Sequence, residues 1–149
     1  GGIAGWSALW TRLTGIDPLS DLRWPLMRST WEMFLAHPLS GVGVGAWPAV
    51  YPEFARFDTG QFANQAHCDW LQWLAEGGVP MFVLAGAFLA LAWRGLVRSV
   101  WGFGFVAVCV HALIDYPFQQ LPVFTAFLYA GAALAVFGAE TDDPPDTPI

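Results

Sequence analysis

The sequence predicts an all-α fold: a polytopic helical membrane protein fragment with a large, partly helical loop followed by about three transmembrane helices. Hydrophobic residues fill 56% of the 149 positions and charged residues only 12%, about half the charged share of an average soluble domain. The mean hydropathy is +0.47. So few charges cannot cover a water-facing globule of this size, which excludes a purely soluble domain. The net charge of −6 also excludes nucleic acid as a partner, because its phosphates require a basic surface.

The apolar runs divide the chain into three parts. Residues 1–78 contain no uncharged apolar stretch of the length that a spanning helix needs and are predicted to lie outside the membrane. Three apolar runs then predict transmembrane helices over about 79–97, 100–116 and 121–139. The acidic, proline-rich residues 140–149 predict a disordered tail.

Two arginines predict the orientation of these spans. Arg94 and Arg98 lie in the short link between the first two runs, and positive residues of short loops stay on the cytoplasmic side. The link and the tail are therefore expected in the cytoplasm, with residues 1–78 on the opposite side. We expect the chain to be the C-terminal part of a longer membrane protein.

A helix is predicted over Leu22–His37, because its periodicity stops at Pro38. Arg28 and Glu32 stand four residues apart on it. They are interpreted either as a surface ion pair or, functionally, with Arg28 as a bidentate clamp for an anion.

A glycine-rich segment follows this helix. Gly41, Gly43 and Gly45 alternate with valine and alanine, but the strand, turn and helix of a dinucleotide-binding site are missing. The segment is therefore predicted to be a flexible turn. Its backbone amides either approach a ligand closely or simply pack tightly.

A second helix is predicted from Asn64 as N-cap to a stop at Gly77-Gly78. His67 would then lie in its first turn, where the positive helix end keeps an imidazole neutral. A neutral histidine can accept a proton from a hydroxyl. The alternative is a histidine that only forms hydrogen bonds near the membrane surface.

His111 and Asp115 are four residues apart at the outer end of the second predicted span. Ionisable groups at that depth face a polar cavity or pair with each other. A metal site with His67 lacks diagnostic spacing, so no metal ligand is assigned. A disulfide between Cys68 and Cys109 is not expected, because Cys109 falls inside a span.

Taken in order, five motifs resemble the O-antigen ligase and Wzy-type O-antigen polymerase superfamily. They are Arg28-x-x-Trp31, His37-Pro38-Leu39-Ser40-Gly41-Val42-Gly43-Val44-Gly45, Tyr51-Pro52, Ala66-His67-Cys68-Asp69-Trp70-Leu71-Gln72 and Glu76-Gly77-Gly78. The resemblance extends over roughly 23–137, where His111 and Asp115 look like the polar patch that these proteins carry after the loop.

The resemblance implies a multi-pass glycosyltransferase of the bacterial inner membrane, with residues 1–78 in the periplasm. It implies a glycan donor linked to undecaprenyl pyrophosphate, a saccharide, lipid A-core or protein acceptor, and no metal or other cofactor. Catalytic roles would fall on His67 and Arg28. Substrate-binding roles are expected for Arg23, Arg56, Gly43, Gly45, His111 and Asp115. The alternative function is a non-enzymatic polytopic protein, such as a transporter fragment or structural subunit.

Overall fold

The computed structural model describes residues 23–56 and 62–140. Within these residues the secondary structure is entirely helical, so the all-α class is confirmed for this part of the chain. The helices are α1 (Arg23–Ala36), α2 (Trp47–Phe54), α3 (Asp69–Arg98), α4 (Trp101–His111) and α5 (Leu121–Glu140), with a 3-10 turn at Pro117–Gln119. The predictions for 1–22, 57–61 and 141–149, which include most of the acidic tail, lie outside the described residues.

Helices α1 and α2 form a small core with the start of α3. Leu26, Thr30 and Met33 lie on the buried face of α1, and the fully buried Trp47 packs against them from α2. The Trp47 indole Nε1 donates to Thr30 Oγ1 at 2.9 Å, which satisfies a polar group that would be costly to bury alone. Helix α1 ends one residue before the predicted end, because Pro38 disfavours helical geometry at the preceding residue.

Helix α3 begins later than the sequence predicts and joins the helix predicted up to Gly77-Gly78 to the one predicted over 79–97. Cys68, with an extended backbone, occupies the N-cap position instead of Asn64. Gly78 leaves helical geometry at φ 63° and ψ −163°, but the helix resumes at the next residue. The predicted stop at Gly77-Gly78 is therefore a kink, at which two helical segments of α3 meet.

The glycine-rich segment, taken here as residues 38–45, packs against this interruption and forms hydrogen bonds on both sides of it. Its Pro38 carbonyl accepts a hydrogen bond from Val79 N at 2.8 Å, and its Val42 N donates to the Ala75 carbonyl at 2.9 Å. These contacts satisfy backbone groups that the break in α3 would leave unpaired. A Cβ atom at Gly78 would lie 2.7 Å from the Pro38 carbonyl oxygen, so the approach requires glycine.

Helices α3 and α5 pack closely through small residues. A Cβ atom on Gly95 of α3 would overlap the Leu134 carbonyl of α5, and one on Gly138 would lie 2.7 Å from Gly95 N. Close backbone approach through small residues is the common way in which helices associate in membranes. Phe88, Phe105 and Phe127 extend the contact to α4.

Two of the three predicted spans form helices long and apolar enough to cross a bilayer, over Asp69–Arg98 and Leu121–Ala139. Their most apolar windows are only 17% and 22% buried, unlike the core helix of a soluble domain. Within the span predicted over 100–116, the helical part α4 has 11 residues, about 16 Å against roughly 30 Å of hydrocarbon, and a third span stays a prediction. The chain turns after His111. In this turn the carbonyls of Ala112 and Asp115 accept hydrogen bonds from the backbone N–H of Asp69.

Candidate active site

His67 lies in a turn before α3, not in its first helical turn as the sequence predicts. Its backbone adopts φ 55°, a left-handed conformation that is uncommon for a residue with a side chain. The Gln72 side chain holds this turn, since its Oε1 accepts a hydrogen bond from Ala66 N at 3.0 Å. Gln72 N donates to the Cys68 carbonyl at 2.9 Å, which fixes the start of the helix.

The side chains of His67, His111 and Asp115 converge just beyond the N-terminus of α3. Asp115 Oδ1 lies 3.9 Å from His67 Nδ1, and its Oδ2 lies 3.7 Å from His111 Nε2. Asp115 Oδ1 also accepts a hydrogen bond from Tyr116 N at 3.0 Å, and the Tyr116 ring meets the His67 ring edge-on at 4.9 Å between centroids. One carboxylate thus stands between two imidazoles.

The two nitrogens of His67 have different surroundings. Nδ1 is buried and has no hydrogen-bond partner among the described residues, whereas 31% of the side chain is exposed. The buried nitrogen faces Asp115 at a distance beyond a hydrogen bond. A shift of about 1 Å would bring the two into hydrogen-bonding range, and such contacts commonly tighten when substrate binds.

Buried Asp69 anchors the turn that carries Asp115. Its Oδ2 accepts a hydrogen bond from Phe118 N at 2.6 Å, and its Oδ1 accepts one from Gln119 Nε2 at 3.2 Å. The sequence-based selection of site residues omits Asp69. A sequence pattern does point to it, because Asp69, Gln72 and Glu76 recur at helical spacing and so place polar groups on one face of α3.

Arg28 and Arg56 both contact Glu32. Arg56 makes a bidentate pair, with Nη2–Oε1 and Nε–Oε2 distances of 2.9 Å, while Arg28 Nε approaches Oε1 at 3.5 Å. The hydrogen bond from Arg56 is the main reason that the pKa of Glu32 lies below its ordinary value. The predicted Arg28–Glu32 pair is confirmed. No sequence pattern indicates that Arg56 joins it, because Arg56 is 24 residues away from Glu32. Arg23 is exposed at the first described position of α1.

The two predicted catalytic side chains have different neighbours. Arg28 contacts Glu32 on α1, whereas His67 contacts Asp115 and Tyr116 after α4. The structure therefore forms an arginine group and a histidine group. His111 and Asp115 belong to the second group, and they lie close to each other as well.

The backbone amides of the glycine-rich segment bind the protein's own Glu76. Gly43 N donates to the Glu76 carbonyl at 2.9 Å, and Gly45 N donates to Oε2 at 2.9 Å. The Glu76 carboxylate also accepts a hydrogen bond from Trp47 N at 3.3 Å, and Glu76 is only 4% exposed. The expectation that Gly43 and Gly45 bind a ligand through these amides is therefore wrong for this structure, because a buried glutamate already occupies the donors.

A cavity of about 430 Å³ lies between α3, the 3-10 turn and α5. Trp73 and Phe118, stacked at 4.9 Å, form part of its apolar wall, and Gly45, Glu76 and Gln119 supply polar groups. Neither Arg28 nor His67 lines it.

No group of three His, Cys, Asp or Glu residues within 23–56 and 62–140 is arranged to hold a metal ion. Both cysteines are free, as expected. Burial raises the pKa of the Cys68 thiol, so its thiolate form is disfavoured and it is a poor nucleophile.

A comparison with protein families matches residues 4–86 to a family described as Wzy_C, O-antigen ligase. The match covers more than half of the chain, including α1, the glycine-rich segment, His67 and the first part of α3. Comparison with curated proteins found no match, and comparison with solved structures found none either.

Proposed function

Because the chain belongs to the O-antigen ligase family, we propose that it transfers a glycan from an undecaprenyl-pyrophosphate donor, as part of an integral-membrane glycosyltransferase. The acceptor is a hydroxyl group of a saccharide, of lipid A-core or of a protein. The family consists of bacterial membrane proteins with a glycosyltransferase-type activity. The donor, the acceptor and the roles of individual residues are our proposals.

The observation that carries the proposal is the convergence of His67, His111 and Asp115. These residues come from two separate segments, and the carboxylate faces the buried Nδ1 of His67 at 3.9 Å. A carboxylate on this side favours the tautomer with the proton on Nδ1, which leaves the lone pair of Nε2 free to act as a base.

In the proposed reaction, Nε2 of His67 takes the proton of the acceptor hydroxyl. The acceptor oxygen attacks the anomeric carbon of the donor and forms the new glycosidic bond. The bond between that carbon and the phosphate oxygen breaks, and the diphosphate leaves with the electron pair. Asp115 stabilises the imidazolium that results.

Arg28 is proposed to bind the diphosphate. A guanidinium stays charged at all relevant pH values and can donate two parallel hydrogen bonds to phosphate. Arg56 is already engaged in a bidentate pair with Glu32, whereas Arg28 makes a longer contact and its side chain is 71% exposed. Of these two cations, Arg28 is therefore the more accessible to the diphosphate, and Arg56 and Arg23 are proposed as helpers. The scheme uses no metal or other cofactor.

The two groups must act on one donor molecule. The diphosphate at Arg28 and the anomeric carbon near His67 belong to the same lipid-linked glycan, so the proposal requires a donor that extends from one group to the other. Arg94 and Arg98 support a cytoplasmic position for the α3–α4 link. Both groups then lie on the periplasmic side of the inner membrane.

The test uses the complete protein with a polyprenyl-pyrophosphate glycan and candidate acceptors. His67→Ala is expected to lower transfer by about 100-fold or more, and Arg28→Lys by about tenfold because the bidentate contact is lost. The matched controls are His37→Ala, an exposed histidine at the end of α1, and Arg98→Lys; both should transfer normally. Unchanged transfer by His67→Ala at normal membrane abundance would contradict the assignment of His67 as the base, whereas no transfer by the wild-type protein would favour a non-enzymatic membrane protein.

A further inference from the structure

Asp69 is a fully buried carboxylate that joins the start of α3 to the turn after α4. Its side chain accepts hydrogen bonds from Phe118 N and Gln119 Nε2. Its own backbone N donates to the carbonyls of Ala112 at 3.0 Å and Asp115 at 3.3 Å. One residue therefore contacts both ends of the turn.

The position of Asp69 connects the two parts of the histidine group. His67 lies two residues before it in the chain, and Asp115 lies in the turn that it holds. No hydrogen bond between the two side chains fixes the separation, since the 3.9 Å between His67 Nδ1 and Asp115 Oδ1 is too long, and the ring contact of His67 with Tyr116 is not directional enough to set it alone. The separation therefore depends on the bonds made by Asp69.

Burial of a carboxylate is expensive unless hydrogen bonds replace its water. Asp69 has two such bonds, one from a backbone N–H and one from a side chain. An apolar residue would fill the same space without that cost, so its benefit must come from what it holds in place. What it holds is the turn with Asp115 and Tyr116, both in contact with His67.

We propose that Asp69 is a positioning residue, which sets the distance between His67 and Asp115 by holding the Asp115–Gln119 turn against the start of α3. This inference rests on the proposed function, because it assigns Asp69 a role in the proton transfer to His67. Asp69 itself touches neither substrate nor the reacting atoms.

The test exchanges the two partners of the side-chain bond. Gln119→Glu places a second carboxylate opposite Asp69, and repulsion is expected to open the turn and lower kcat by about tenfold. Adding Asp69→Asn should restore most of that loss. The side-chain oxygen of the introduced asparagine can still accept a hydrogen bond from Phe118 N, while its amide N–H₂ donates to the introduced carboxylate.

The control is Gln120→Glu, which adds the same charge at an exposed neighbour that does not bond Asp69; it should leave kcat unchanged. The KM for the lipid-linked donor should stay constant through the series, because a positioning defect acts on the chemical step. A purely structural role would lower the amount of folded enzyme while leaving kcat per folded molecule intact.

The inference is overturned if Gln119→Glu keeps full kcat, if Asp69→Asn fails to rescue it, or if the loss appears in KM alone. Should the Asp69 variants not fold, Gln119→Glu alone decides, because its side chain is exposed. His67→Ala separates the two proposals. Full activity of that variant refutes the proposed role of His67 as the base, whereas its inactivity together with an unchanged Gln119→Glu refutes only the role of Asp69.

Discussion

The Glu76 carboxylate accepts a hydrogen bond from the backbone amide of Gly45, with 2.9 Å between Oε2 and N. Its other oxygen accepts hydrogen bonds from Trp47 N at 3.3 Å and from Gln72 Nε2 at 3.1 Å. The buried acid thereby joins the glycine-rich segment, α2 and α3. This arrangement stabilises the interruption of α3 that lies next to it at Gly78.

Replacing Glu76 by glutamine should destabilise the protein. Both carboxylate oxygens accept hydrogen bonds, so the new amide N–H₂ must face a donor and at least one bond is lost. The expected cost is about 1–3 kcal/mol, measured as a lower midpoint of thermal unfolding in detergent. Glu53→Gln, at an exposed position on α2, is the control. Equal midpoints for the two variants would contradict the role of Glu76.

Gly41→Ala should be harmful, and Gly86→Ala harmless. Gly41 has φ +64°, and a Cβ atom there would overlap the Glu76 carbonyl. The expected cost is about 1–3 kcal/mol from backbone strain. Gly86 lies within α3 with nothing within 4 Å of its Cβ position. Thermal unfolding of the two variants side by side gives the comparison, and a tolerated Gly41→Ala would refute the described close approach.

Gly95→Leu should separate α3 from α5. A side chain at Gly95 would overlap the backbone of Leu134, so the two helices cannot keep their close contact. We expect lower membrane abundance and faster proteolysis. Gly104→Leu is the matched control, because its Cβ position on α4 meets nothing within 4 Å. Similar abundance of both variants would show that α3 and α5 do not pack at Gly95.

Cys68 should resist alkylation near neutral pH. Burial raises the pKa of its thiol, and only the thiolate reacts. The thiolate fraction therefore becomes appreciable only above the ordinary thiol pKa of 9.0, so the reaction rate should rise with pH beyond that value. Mass spectrometry of the Cys68 peptide after iodoacetamide treatment measures this, with denatured protein as the control. Rapid labelling of folded protein at pH 7 would contradict the burial of Cys68.

The sequence predicts the large features of the fold because they depend on local patterns. The end of α1 follows from Pro38, and the position of α5 follows from one uninterrupted apolar run. The start of α3 could not be predicted in this way. Asn64 has the right residue type for an N-cap, but Gln72 and Asp69 fix the chain through contacts outside the helix, which override local preference.

In the candidate site, too, local patterns indicate the residues, whereas contacts between distant segments decide how they are arranged. His67, His111 and Asp115 are each recognisable as ionisable residues near predicted spans, but their convergence depends on the turn after α4. The amides of Gly43 and Gly45 were expected either to face a ligand, as those of an open glycine-rich turn often do, or to pack tightly without one. Glu76 satisfies them from another element, and no local spacing shows which acid will lie beneath a loop.

The most direct test of the central claim is whether His67 removes the proton of the acceptor. Transfer by wild-type protein and by His67→Ala is compared for two acceptors that differ in the acidity of the attacking hydroxyl, for example through a neighbouring fluorine. An acidic hydroxyl needs less help from a base. The ratio of wild-type to variant rate should therefore fall by about tenfold or more with the acidic acceptor. An equal ratio for both acceptors would contradict the assignment of His67 as the base.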